Sequence, residues 1–112
     1  MNAKVEVDAG ICGFTTTIET RTEDSRNVEF AVATDCDSIK KLAERLGALG
    51  PLDAYMEINP AGQSELMNLA RESLRGGCAG CAVPIGMFKA MQVAAGLALP
   101  RDVAMTIAKT DS

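Results

Sequence analysis

The stretch VEFAVATDCDSIKKLAERLGAL, residues 28–49, changes its hydrophobic period partway along and so indicates the fold class. Its first part has the two-residue alternation of a β-strand with one buried face, and the apolar positions are Val28, Phe30 and Val32. Its second part has the spacing of an amphipathic helix, with Ile39, Leu42, Ala43, Leu46 and Leu49 on one side. A strand therefore leads directly into a helix, and Asp35 or Asp37 is predicted to cap that helix.

Upstream of this stretch the chain predicts two further strands. Val5 and Val7 alternate with acidic residues, and residues 14–21 are rich in threonine and isoleucine, which favour β-structure. A turn bracketed by Gly10 and Gly13 separates these two strands. Three strands in close succession predict an antiparallel meander.

Downstream, the pattern predicts a second helix over residues 63–74, a flexible glycine-rich loop over residues 76–81 and a third helix opened by Pro84. The third helix is apolar almost all round, so we expect it to be central and buried. Alternation then predicts a last strand through Val103, Met105 and Ile107. We predict one α+β domain over residues 1–112, with a mainly antiparallel sheet of four to five strands and about three helices packed on one face.

Composition narrows the classes of function. The chain has 112 residues and a net charge of −4, without the clustered lysine and arginine that nucleic-acid binding needs. It has no apolar run of about 18 residues and no apolar signal-peptide core near Met1, so neither membrane insertion nor export is expected. We therefore predict a cytoplasmic protein.

The four cysteines are the main concentration of reactive side chains, and the chain has no histidine. In a reducing compartment, cysteines in such a number indicate metal binding or thiol chemistry more often than disulfides. Without histidine, any transition metal would be held by thiolates, carboxylates or water. Three glutamates, Glu57, Glu65 and Glu72, are most simply solvated surface residues.

Cys78 and Cys81 form a C-x-x-C pair in a glycine-rich segment just before the third predicted helix. Two thiolates at this spacing can bind one metal ion from a single turn. The start of a helix favours an anion, so the pKa of the Cys81 thiol is predicted to be depressed.

Cys12 lies in the first predicted turn, and Cys36 lies where the third strand gives way to the first helix. All four cysteines thus fall at a turn or at a helix start. If these segments meet at one end of the fold, the four thiolates form one site for zinc or an iron–sulfur cluster, with the ligands Cys12, Cys36, Cys78 and Cys81. Four thiolates suit both groups equally well.

Two alternatives remain open, so whether the protein is an enzyme is left undecided. One is a thiol or persulfide sulfur carrier or transferase, with Cys81 as the nucleophile and Cys78 as the resolving thiol. The other is a non-catalytic interaction module with inert cysteines, which forms a homodimer through an edge strand.

Four segments together resemble a small prokaryotic family of single-domain proteins with no settled activity. They are Gly10-Ile11-Cys12-Gly13-Phe14, Asp35-Cys36, Cys81-Ala82-Val83-Pro84 and the run AGLALPRDV at residues 95–103. The resemblance covers nearly the whole chain. Locally, Cys81 and Pro84 are also similar to the Cys-Pro-x-Pro motif of TusA-like sulfur carriers, with Ala82 in place of the first proline. That likeness implies a cysteine that carries persulfide sulfur.

Overall fold

The computed structural model describes residues 1–111 and confirms an α+β fold. The strands are β1 (Asn2–Asp8), β2 (Thr15–Arg21), β3 (Asn27–Ala33) and the short β4 (Leu52–Asp53). The helices are α1 (Asp37–Leu49), α2 (Ala54–Glu57), α3 (Glu65–Ser73) and α4 (Val83–Ala94), with a 3-10 helix (Gly76–Gly80) before α4. Within the described part of the chain, no helix is both long and apolar enough to cross a bilayer.

The four strands form one antiparallel sheet in the order β1-β2-β3-β4. Its register places Val5 opposite Ile18, and Ile18 opposite Val32, so one row of apolar side chains crosses the first three strands. The alternation read from the sequence produces this row, because side chains two apart on a strand point to the same face. That face is turned toward the helices.

The helices pack on the apolar face, with α4 against β1 and β2 and with α1 against β3. Ile18, Leu42 and Met87 are fully buried at the centre of this layer. Helix α4 buries most of its length, as its nearly continuous apolar sequence predicts. On the opposite face of the sheet, alternate residues such as Lys4 and Glu19 are exposed.

The closest approach between helix and sheet occurs at Gly86. A Cβ atom at this position would lie 2.6 Å from Cγ2 of Val7 and 3.5 Å from Cδ1 of Ile18. One turn further along α4, the buried hydroxyl of Thr20 donates a hydrogen bond of 2.8 Å to the carbonyl oxygen of Ala90. Because Val7 is near the end of β1 and Thr20 is paired with its beginning, α4 runs antiparallel to β1.

Three local expectations were wrong. Cys36, not an aspartate, is the N-cap residue of α1, and its side chain makes no capping hydrogen bond. The glycine-rich segment predicted as a flexible loop is the 3-10 helix, closed by hydrogen bonds such as that from the Cys81 amide to the Cys78 carbonyl. No strand forms at residues 99–111, all of which are exposed, because none of the strands described among residues 1–111 pairs with them.

Glu57 was also misjudged, since its side chain is buried and only 7% exposed. Its carboxylate accepts hydrogen bonds from the Ser64 hydroxyl and the Glu65 amide, both at 2.8 Å, and from the Leu66 amide at 2.9 Å. These amides belong to the first turn of α3, where backbone donors have no partner within the helix. Glu57 therefore caps a helix that begins eight residues after it.

The contact at Gly86 predicts opposite effects for two glycine-to-alanine substitutions. Gly86→Ala should lower the free energy of unfolding by about 1–3 kcal/mol, because the added methyl group overlaps Val7. Gly47→Ala, on the exposed side of α1 with no heavy atom near its Cβ, should raise it by up to about 1 kcal/mol. Urea unfolding followed by circular dichroism measures both. Equal stability of the two variants would contradict the close packing.

The buried cap predicts that Glu57→Gln lowers the free energy of unfolding by about 1–3 kcal/mol, because an amide group would face the α3 backbone donors. Glu72→Gln is the matched control. Its exposed carboxylate lies 3.9 Å from Arg45, so its loss should change stability by less than about 0.5 kcal/mol. The same urea titration compares the two variants, and a Glu57→Gln protein as stable as the control would refute the capping role.

Candidate metal centre

Cys12 lies in the tight turn that joins β1 to β2. The Gly13 amide donates to the Gly10 carbonyl at 2.9 Å, and the Ala9 amide donates to the Phe14 carbonyl at 3.1 Å. Both glycines have positive φ, 87° at Gly10 and 76° at Gly13, which is why glycine suits these positions. The turn leaves Cys12 exposed at the end of the hairpin.

Cys36 lies between the end of β3 and the start of α1, half-buried and packed against the core. Its backbone amide donates a hydrogen bond of 3.2 Å to the hydroxyl oxygen of Thr34. That oxygen is also 2.8 Å from the buried hydroxyl oxygen of Thr16, at the start of β2. This pair of threonines ties the Cys36 segment to β2. The pairing cannot be read from the sequence, because residues 18 positions apart give no local signal.

Cys78 is exposed on the 3-10 helix, whereas Cys81 follows it and is half-buried against the core. The Cys81 thiol accepts a hydrogen bond from the Val83 amide, in the first turn of α4. The predicted contact between Cys81 and the start of this helix is therefore present. Cβ atoms at Gly77 and Gly80 would meet nothing within 4 Å, so the segment around Cys78 is free of packing constraints on these two sides.

The topology brings all four cysteines to one end of the sheet. The β1–β2 turn with Cys12 and the end of β3 before Cys36 lie at the same end, because Asp8 pairs with Thr15 and Ala33 pairs with Thr17. Helix α4 begins at this end as well, since Gly86 contacts Val7. Cys78 and Cys81 directly precede that helix and therefore lie at the same end of the sheet as the hairpin turn and the start of α1.

The ionisation of Cys81 reflects this arrangement. Burial raises the pKa of its thiol, the hydrogen bond from Val83 lowers it, and the charges of Cys12, Cys36 and Cys78 each raise it. The net effect is a raised pKa, so the predicted depression was wrong: burial outweighs the start of the helix. The other three cysteines act on the pKa of Cys81 because they lie at the same end of the sheet.

The sulfur atoms do not form a finished coordination sphere. Among residues 1–111, no group of three or more cysteine, aspartate or glutamate side chains is positioned to hold a metal ion. Two of the thiols, Cys36 and Cys81, pack against the core, whereas Cys12 on its turn and Cys78 on the 3-10 helix are exposed. The four thiols therefore divide into a pair held by packing against the core and an exposed pair.

The protein family that matches this chain has no assigned activity. A model of the "Family of unknown function (DUF6951)" matches residues 3–107, a range that includes all four cysteines. No curated protein and no solved structure matches the chain significantly.

The environment of Cys81 predicts its reactivity in metal-free protein. At pH 7 the exposed Cys12 and Cys78 should be alkylated by iodoacetamide before Cys81, because access favours them and a raised pKa leaves little Cys81 thiolate. Since the pKa is raised, the Cys81 rate should reach its half-maximum above the pH expected for an ordinary thiol.

Removing a neighbouring thiol tests whether the sulfurs are close. In a Cys12→Ser variant, the midpoint of Cys81 alkylation should shift to lower pH, because one repelling charge has gone. Mass spectrometry of alkylated peptides across a pH series measures the shift, with Ala79→Ser as the control that removes no thiol. A midpoint unchanged by Cys12→Ser would show that the two thiols are too far apart to interact.

Proposed function

We propose that this chain, which belongs to the DUF6951 family of unknown function, binds a metal ion or an iron–sulfur cluster. The proposed ligands are its four cysteines, Cys12, Cys36, Cys78 and Cys81. The observation that carries this proposal is that three separate chain segments bring all four cysteines of the protein to one end of the sheet.

The donor chemistry supports a soft, thiolate-binding cation. Four thiolates are the ligand set of structural zinc sites and of iron–sulfur clusters, and the chain has no histidine to form a mixed site. Burial is the main cause of the raised pKa of Cys81, and the charges of Cys12, Cys36 and Cys78 raise it further because clustered thiolates repel one another. A bound cation converts this repulsion into attraction. Zinc and an iron–sulfur cluster share this chemistry, and they are distinguished by the presence of iron and acid-labile sulfide in the cluster.

The division into fixed and exposed thiols suggests how the ligand would be held. Cys36 is tied to β2 through Thr34 and Thr16, and Cys81 is tied to α4 through the Val83 amide. In contrast, Cys12 is exposed on the β1–β2 turn and Cys78 is exposed on the 3-10 helix, and glycines flank both residues. In the proposed site, the first pair provides a preformed half and the second pair closes over the bound ion.

Metal binding in this arrangement is not needed to build the core. The fully buried side chains of Ile18, Leu42 and Met87 form the centre of the core, and Cys36 and Cys81 pack only at its margin. We therefore propose a functional or locally ordering role for the metal, in contrast to small zinc domains that are unfolded without it.

The sulfur-carrier alternative lacks comparable support. A persulfide carrier needs a nucleophilic thiolate near neutral pH, and the burial of Cys81 raises the pKa of its thiol. Cys78 is exposed and three residues away, so it remains available as a second thiol, but no observation selects it as a resolving partner.

Metal analysis of protein purified without oxygen tests the proposal. We expect about one zinc ion or one cluster per chain, with iron, acid-labile sulfide and visible absorption in the second case. Each single cysteine-to-serine substitution should weaken binding by at least about tenfold, because a thiolate ligand is lost. Ala79→Ser, in the same 3-10 helix as Cys78, is the matched control and should retain full occupancy.

Cobalt titration extends the test to protein that is recovered without metal, since thiolate ligation produces intense cobalt charge-transfer absorption. Absence of metal from anaerobic protein, together with absence of that absorption, would refute the proposal. The site would be reduced to the two thiols of the C-x-x-C pair if metal binding were lost only in the Cys78→Ser and Cys81→Ser variants. In that case the Cys12→Ser and Cys36→Ser variants would bind metal normally.

A further inference from the structure

The C-terminal residues 99–111, which we call the arm, carry an apolar face with no partner in the described chain. Val103, Met105 and Ile107 are 63%, 76% and 85% exposed, and they alternate with Ala104 and Thr106. Strand-like alternation normally accompanies burial of one face. A row of exposed apolar side chains of this kind is uncommon on a protein that functions as a monomer.

The backbone of the arm is equally unpartnered. Leu97 makes the last backbone hydrogen bond, to the Gln92 carbonyl at 2.7 Å, and no described residue after it donates or accepts one within the chain. The molecule measures 49 Å along its longest axis but only 29 and 27 Å across, as expected for a body with a projecting segment. The arm thus has the sequence of a strand but pairs with none of the strands in the described part of the chain.

The sheet offers a matching free edge. Strand β1 pairs with β2 on one side only, so the seven residues of its other side present unpaired amides and carbonyls. Its inward residues Ala3, Val5 and Val7 are only half-buried, whereas Ile18 on the neighbouring strand is fully buried. The apolar layer is therefore incompletely covered along this edge.

The other edge is a poorer receptor. Strand β4 already pairs with the first residues of β3, at Asn27 and Val28, so only the remainder of β3 is free. By contrast, β1 is free along all seven residues, about 23 Å at the usual rise per residue. Residues 101–109 are long enough to span it.

We propose that the arm of one chain adds as a fifth strand to the β1 edge of a second copy, with the same exchange in the reciprocal direction. Val103, Met105 and Ile107 then lie beside Ala3, Val5 and Val7, because all six positions are spaced two apart and face the helical layer. In a closed two-fold dimer, each arm pairs with the β1 edge of the other copy, so no arm and no β1 edge is left unpaired.

Charge and position agree with this exchange. The segment 101–109 has Arg101 and Lys109 at its ends and a net charge of +1, whereas β1 carries Glu6, Asp8 and one lysine, a net charge of −1. The arm leaves from the end of α4, at the opposite end of the sheet from the cysteines. Dimer formation therefore neither requires nor blocks the proposed metal site.

The mass in solution tests the exchange. In reductant and chelator, which exclude disulfide and metal bridges, light scattering should give twice 11.8 kDa for the full chain. Met105→Asp should weaken the dimer at least about 30-fold, because a charge would be buried between strands. Ala104→Asp, on the opposite side of the arm, is the matched control and should leave the mass unchanged.

Hydrogen exchange identifies the edge that receives the arm. Amides of residues 101–109 and the β1 amides that point away from β2 should be protected together in the full chain, and both groups should lose protection in Met105→Asp. A monomeric full chain, a Met105→Asp protein that remains dimeric, or loss of protection at residues 29–33 in place of β1 would each overturn the proposal.

Discussion

The close packing of α4 on β1 and β2 is the contact on which the arrangement of the molecule depends. Gly86 allows the helix backbone to approach Val7, and the hydrogen bond from Thr20 to Ala90 holds it in register one turn later. Together these contacts fix the direction of α4. Its beginning, preceded by Cys78 and Cys81, is placed beside the β1–β2 turn, and its end releases the arm on the other side. A bulkier residue at the crossing would disturb both ends at once.

Much of the fold could be predicted because its signals are local. Alternation around Val5 and Val32 and the helical spacing after Cys36 depend on residues a few positions apart, and the sheet and α1 follow from them. The features that could not be predicted depend on distant partners. Glu57 is buried because the first turn of α3 folds over it, and the arm forms no strand because none of the strands within residues 1–111 lies beside it.

The candidate site shows the same division. Sequence position placed each cysteine at a turn or helix start, and the contact of Cys81 with the first turn of α4 is present. The raised pKa of that thiol could not be anticipated, because it depends first on burial by the folded core and only then on neighbouring charges. Likewise, the threonine pair that secures Cys36 joins β2 to the residue that follows β3 and has no sequence signature.

X-ray absorption spectroscopy of the metal-loaded protein tests the central claim most directly, since it counts the atoms bound to the metal. The account predicts a first coordination shell made of sulfur alone, at about 2.3 Å. That shell would comprise four protein thiolates around zinc, or thiolates and inorganic sulfide around iron. A shell containing oxygen or nitrogen, or one with only the two sulfurs of Cys78 and Cys81, would contradict it.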